Sequence, residues 1–395
     1  MKQSARPSVA RLSELQQLIA LLASAQPSGR LVVSCYLNTS QGNAQLEAFV
    51  RERAAPQIAR LPAQQRNRVE HCINLITARL AADLPPRTRG LAMFVADDKR
   101  APVLIDMPFA VPLRNSLTIA PSPDLLPLIQ LKELYGRFMI VLARPEGLQV
   151  SEVNLGDVEL KLWAANPDQR MAGTDRPTPG RQVTTSSAAM RKQVRLIERS
   201  VNQGGACPLF LAGDVDTMQA IRDLLAPSSI ARLVGALPIA ADHSLSRTAA
   251  VCLRALMAFE TRRAHGLATR ILRDIGHHGL AVSGAEASLD AMRQGIVDTL
   301  LVSSDYRPDP AWVAADVDDH MPASGRHTAR YGDEREALNL RLELIRLAGR
   351  DRIPVEFADD ATLDGLGGVA CVLRDYPEAV TQTCPPRRGT LDMVA

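Results

Sequence analysis

Between Thr174 and Val201 the chain reads TDRPTPGRQVTTSSAAMRKQVRLIERSV, a polar loop that runs straight into a basic helical pattern. The loop holds Gly180, Arg181 and Gln182 in succession. Glycine opens backbone conformations that are closed to other residues, and a neutral amide donates and accepts hydrogen bonds at once. Behind the loop, Arg191, Arg195 and Arg199 recur every four residues on one helix face, with Lys192 beside them. A row of guanidinium groups behind a loop tip suits a phosphate backbone. Taken alone, the same residues also fit a surface loop with Thr184, Thr185, Ser186 and Ser187 as helix caps and a solvated basic face.

The remaining chemistry-bearing residues point nowhere definite. Asp242, His243 and Ser244 are triad residue types, but triad members converge from separate segments and no GxSxG elbow exists. The glycine stretches PSGRLVV and GGACPLF lack the GK[ST] of a Walker loop. His277 and His278 are adjacent at the end of a helical pattern and point to different faces, so a shared metal is not expected. Asp316, Asp318, Asp319 and His320 read as acidic solvation of a loop rather than a cation site. The six cysteines form no CxxC, most lie in apolar runs, and buried free thiols in a reducing cytoplasm follow. No cofactor and no metal is expected.

Composition sets the frame around these residues. A chain of 395 residues has room for two or three domains. Its apolar and charged fractions are those of a globular protein, and no apolar stretch is long enough to span a membrane. The formal charge is only +3 and aromatics are scarce, so nucleic-acid binding would rest on local patches rather than on a basic chain. Near the start, LIALLASAQ resembles a signal peptide, but Leu12, Leu15, Ile19 and Leu22 fall on one face of an amphipathic helix.

The elements that must position the loop are expected in three α/β domains, 1–127, 128–277 and 278–395. In the first, RLVVSCYLN reads as a buried strand. A helical stretch over 45–81 is expected to break near Pro56 and Pro62, and GLAMFVADD and APVLIDMPF pattern as two strands. The proline-punctuated VPLRNSLTIAPSPDLLPLIQL is read as a crossing. The second opens with the meander GRFMIVLAR, GLQVSEVNLG, DVELKLWA, followed by the loop and basic helix over 187–201. A strand at CPLFLAGD, a helix over 217–225, a strand at ARLVGALPI and a long helix over 244–277 complete it. Arg254, Arg262, Arg263, Arg270 and Arg273 spread over both faces of that helix. The third alternates strands and helices as an α/β/α sandwich, with a loose segment over 307–331, a helix ending at Gly349 and a flexible tail.

In this third block, SGAEASLDAMRQGIVDTLLVS and IPVEFADD…LDGLGGVACVLR resemble the C-terminal domain of the archaeal and eukaryotic class 1 release factors and of Pelota. The resemblance runs from about Arg137 to Tyr376 and is nearest to bacterial release-factor-like proteins and Balon-type ribosome hibernation factors. The first block matches only in its αβ character. In that family the middle domain carries a Gly-Gly-Gln loop that reaches the peptidyl-transferase centre, where the amide places a water against the ester of peptidyl-tRNA. Gly180 and Gln182 match this motif by position and Arg181 departs from it. At a position needing positive φ, Arg costs roughly 1 kcal/mol or more.

The resemblance therefore implies a tRNA mimic that binds the ribosomal A site in rescue or hibernation, with rRNA and the peptidyl-tRNA acceptor end as contacts and a translational GTPase as a partner of the third block. Two readings of the loop stand: hydrolysis lost and Arg181 docked on an RNA phosphate, or a relaxed motif that still hydrolyses through Gln182. The catalytic candidates are thus Gln182 and Gly180, and the RNA-binding candidates Arg181, Arg191, Lys192, Arg195 and Arg199. A NIKS-like decoding run is absent, which argues against stop-codon reading. The third possibility is an adaptor that binds RNA or protein and never enters the ribosome.

Overall fold

The structure, a computed structural model, describes residues 8–24, 30–96, 102–144, 146–165, 187–203, 205, 207–240, 243–276, 280–303, 333–358, 363 and 368–374. Its architecture is mixed α/β, with three sheets, each drawn from its own stretch of sequence. The first sheet comprises β1 (Val32–Asn38), β2 (Gly90–Ala96), β3 (Val103–Phe109) and β4 (Ser116–Ala120), in the antiparallel order β3-β2-β1-β4. Helices α2 (Asn43–Ala59) and α3 (Ala63–Leu80) cover one face through Val33, Cys35, Leu37, Leu91, Met93 and Val95. The alternate residues Tyr36, Ala92 and Phe94 enter the large shared core on the other face. This is the period-two division of a strand buried on both sides.

Three expectations for local structure are corrected here. Pro56 lies inside α2 without ending it. The buried face of that helix is Leu46, Val50 and Ala54, so the exposed Pro56 loses its N–H where water can serve the freed carbonyl. The break comes at Pro62, which caps α3, and the Arg66 guanidinium closes the end of α2 on the Ala59 and Leu61 carbonyls. The supposed crossing contains β4, which pairs with β1 from Tyr36↔Ser116 to Val32↔Ala120, and α4 (Leu126–Tyr135). The last helix passes through Gly349 rather than stopping there.

The middle sheet has β5 (Arg137–Arg144), β6 (Gly147–Asn154), β7 (Asp157–Ala165), β8 (Leu209–Gly213) and β9 (Leu233–Pro238) in the order β7-β6-β5-β8-β9. The meander is antiparallel, and β8 and β9 add in parallel. Parallel addition requires crossovers, which are α5 (Ser187–Gln203) between β7 and β8, then α6 (Val215–Leu224) and α7 (Pro227–Ile230) between β8 and β9. Asp214 caps α6 by accepting from the Thr217 N–H at 2.9 Å.

The third sheet orders β10 (Ala281–Ser283), β13 (Val369–Leu373), β11 (Val297–Ser303) and β12 (Val355–Ala358) as β10-β13-β11-β12. Helices α9 (Ala285–Arg293) and α10 (Asp333–Asp351) share the core with one face, through Leu289, Met292, Leu344 and Ile345 against Leu300, Val302, Val369 and Cys371. The other face is covered by Ala268 and Ile271 of α8 (Leu245–Gly276), packed on Leu301, Ala358, Ala370 and Val372. The expected α/β/α layering is present, and one of its layers is the second half of a helix whose first half serves the middle sheet. At 1.5 Å per residue, this helix of 32 residues is about 48 Å long. Ala249, Ala250, Cys252, Leu253 and Leu256 join the core that holds Phe138, Ile140, Phe210 and Ala212.

The amphipathic helix expected near the start is α1 (Leu12–Ser24), with Leu15, Ile19 and Leu22 buried. It lies on α10. Gly349 allows the approach, since a Cβ there would sit 3.2 Å from Ile19 Cγ2 and 3.3 Å from Ala23 Cβ. The Arg346 guanidinium, 7% exposed, donates to the Ala23 carbonyl at 2.8 Å and makes two 2.7 Å bonds to Glu343. Among the described residues the five cysteines are free and buried, as expected; burial pushes the thiol of Cys252 up to about 12 and that of Cys371 up to about 11. No described helix is long and apolar enough to cross a membrane.

Candidate nucleic-acid interface

Helix α5 is positioned by a stripe of Met190, Val194, Ile197 and Val201, spaced four, three and four, that packs on Val141, Val150, Leu209 and Leu211 of the middle sheet. This packing fixes the helix's rotation. Successive residues turn by 100°, so Arg191, Arg195, Arg199 and Lys192 fall together on the side away from the sheet, and all four are exposed. From Arg191 to Arg199 the row extends roughly 12 Å along the axis. Four basic residues share the helix with one acid, Glu198, whose Oε1 accepts from the Ala226 N–H at 2.6 Å. Leu196, 36% exposed, borders the row.

Two residues that sequence reasoning passed over hold this arrangement. Gln193 is buried within the apolar face, and its Nε2 donates to the Ala165 carbonyl at 3.0 Å and the Ala164 carbonyl at 3.5 Å. The amide therefore ties the first turns of α5 to the last residues of β7, joining both ends of the 166–186 segment. The signal was present in the sequence as a polar side chain placed between Met190 and Val194 on the buried side. Glu198, at the far end, fixes α5 to the start of α7. Gly180, Arg181 and Gln182 lie outside the described residues, as do His277, His278, Asp242 and Asp316–His320.

One end of the meander, where β5 begins, β6 ends and β7 begins, carries a compact charge network. Glu152, 4% exposed, accepts from Arg137 Nε at 2.7 Å and Nη2 at 3.2 Å, from Asn154 at 3.2 Å, and pairs with Lys161 at 3.2 Å. Burial raises its pKa, and the donated hydrogen bonds of Arg137, Asn154 and Lys161 outweigh that, leaving the carboxyl below its ordinary value. Arg11 reaches across to Glu159 at 2.9 Å, and the Leu12 N–H donates to Asn154 Oδ1 at 2.9 Å. The approach to α1 is thereby tied to the meander that feeds the loop.

The second arginine group, on α8, is arranged differently. Arg263 pairs with Glu260 at 3.0 Å and with Glu356, while Arg270 and Arg273 approach Asp274 at 3.6 and 3.7 Å. Among the described residues no cluster of three or more His, Cys, Asp or Glu side chains is placed to hold a metal ion. His243 and Ser244 lie at the start of α8, and the His243 carbonyl accepts from Arg144 at 2.8 Å. That contact is structural.

No protein-family model matches the chain, and no curated protein sequence matches it. Among solved structures, the chain is similar to an archaeal Pelota in a ribosome-bound model with ABCE1, at 14% identity over 93% of this chain and 95% of that one, with a TM-score of 0.40. It is similar to Dom34 of S. cerevisiae, a translation termination-like factor, at 11% identity over 74% and 81%, TM-score 0.40. A third is the archaeal translation termination factor aRF1, at 14% identity over 93% and 99%, TM-score 0.26.

Proposed function

We propose that the protein is a ribosome-binding factor that occupies the A site as a tRNA mimic during rescue or hibernation. The observation that carries this reading is the exposed row Arg191, Lys192, Arg195 and Arg199 on a helix anchored at the base of the segment bearing Gly180, Arg181 and Gln182. A rigid row of exposed cations is suited to rRNA phosphates. The sequence resemblance supplies the rest: the loop directed to the acceptor end of peptidyl-tRNA, the first block toward the decoding region, and the third block toward a translational GTPase in the cytoplasm. The division 1–127, 128–277 and 278–395 is part of the same proposal, with α8 as the element shared across its second boundary.

Sedimentation of the purified chain with ribosomes at low and high salt tests this. Binding at low salt that is lost steeply at high salt is expected. Absence from the ribosomal pellet at low salt, with empty and with tRNA-loaded ribosomes, would contradict it and leave the adaptor reading. Within the proposal, Arg181 in place of a second glycine favours docking over hydrolysis. Gly180 and Gln182 keep the hydrolytic reading as the second one. Release of peptide from peptidyl-tRNA by the wild type, abolished in Gln182→Ala with ribosome binding intact, would establish it.

A further inference from the structure

The first sheet carries a cavity that the ribosome reading does not use. It is about 370 Å³, within the roughly 300–1,000 Å³ usual for small-molecule sites, and would hold about a dozen waters. Helix α2, the strand β4 with its approach, and helix α4 enclose it. Leu113, Leu117, Leu131 and Tyr135 are buried in its walls, with Phe49 and Leu134 half-buried toward the opening.

Its polar lining is largely committed elsewhere. Asn115 accepts from the Asn38 N–H at 2.6 Å and donates to Gln41 at 2.8 Å. Asp124 accepts from the Leu126 N–H at 3.2 Å and from Thr118 Oγ1 at 3.3 Å, so its carboxylate is held by the wall. The interior therefore asks for an apolar body that needs no hydrogen bonds of its own. At the mouth, Arg53 and Arg114 are exposed, and they are the cations of the lining.

The walls are also fixed in advance. Gln57 bridges α2 to β4, donating to the Leu117 carbonyl at 3.0 Å and accepting from the Ile119 N–H at 3.1 Å. On the other side, the Tyr36 hydroxyl donates to the Asp124 carbonyl, and the Asp124 N–H donates to Ser34 Oγ at 2.9 Å. A preformed cavity loses little ordering entropy when filled.

We infer that this cavity is a binding site for a small amphipathic organic anion, an aromatic or branched apolar body in the pocket and a carboxylate or sulfonate at Arg53 and Arg114. The inference stands apart from ribosome binding and is tested without ribosomes. Anilinonaphthalenesulfonate is titrated into the full chain by fluorescence, beside N-phenylnaphthylamine, which has the same apolar body and no anion. One saturable site per chain is expected, with the neutral probe weaker by about tenfold or more. The double variant Arg53→Glu, Arg114→Glu should weaken the anionic probe by about tenfold and leave the neutral one within about twofold. Leu134→Trp, which fills the cavity, should abolish both, with folding checked by circular dichroism. Equal binding of the two probes, or titrations unmoved by the surface charge variant, would overturn the inference.

Discussion

Helices α5 and α8 both drew attention in the sequence through their arginines, and the fold treats the two groups in opposite ways. On α8, the arginines that pair do so with acids of the same helix or of β12, while the helix serves as a spine between the middle and third sheets. On α5, the row faces outward from a single sheet, and the helix's one acid is engaged with the backbone of α7. The difference lies in the neighbouring carboxylates rather than in the arginines. Arginines paired with acids three or four residues away stabilise a helix locally. On α5 the acid within that reach, Glu198 three residues from Arg195, accepts from the Ala226 N–H, and the exposed row projects its field outward.

The comparison can be broken most forcefully through the core. Ile197 and Ile271 are both fully buried, one under α5 and the other under α8. Each Ile→Ala change should destabilise the chain by about 2–5 kcal/mol in denaturant titrations. Ile197→Ala should also weaken ribosome binding out of proportion, because it frees the helix that aims the row. Next in size is the charge itself. Reversal of Arg191, Arg195 and Arg199 to Glu should lower ribosome affinity roughly a hundredfold at low salt and flatten its salt dependence by about one unit of slope per lost contact. Reversal of Arg254, Arg262 and Arg270 on α8 should change it by no more than about threefold. Leu196→Glu would place an acid among the α5 cations and make that helix more like α8; a loss of several-fold is expected.

Smaller effects sharpen the account of how α5 is held. Gln193→Ala removes the tie to Ala164 and Ala165 and should cost about 1 kcal/mol in stability. The two regions also differ in their response to pH. Glu152 is held below its ordinary value, so its contribution is present above about 4.5 and is lost as pH falls through its lowered folded value. Glu260 on α8 and Glu356 on the adjoining β12 are raised by burial, offset in part by Arg263 and reinforced by Glu133. A raised carboxyl binds more protons in the folded state, so stability falls as pH rises from about 4.5 through the folded values. Glu356→Gln should flatten that fall, and Glu152→Gln the opposite one at acid pH; thermal unfolding followed across the acid range reads both.

Much of this was legible in the sequence because it is local. GRFMIVLAR patterned as the first strand of a meander and RLVVSCYLN as a buried strand, and the spacing of four put Arg191, Arg195 and Arg199 on one helix face; which way that face points came only with the packing of Met190, Val194, Ile197 and Val201. What escaped depends on partners far along the chain. The strand β4 is short and bracketed by Pro112 and Pro121, and only its pairing with β1 makes it a strand. Gly349 reads as a helix terminator until Ile19 and Ala23 are seen against it. The sharing of α8 by two sheets leaves no mark in its periodicity. The acids that neutralise its arginines were half visible: Glu260 and Asp274 stand three and four residues away, but Glu356 arrives from β12.

The claim that matters most is that the α5 row seats the chain in the A site. Labelled aminoacyl-tRNA binding to programmed ribosomes, measured with increasing amounts of the protein, tests it directly. The account predicts that the wild type excludes tRNA from the A site competitively, that the triple α5 variant fails to, and that the α8 variant competes like the wild type. Saturating ribosome binding with A-site tRNA undisturbed would contradict it.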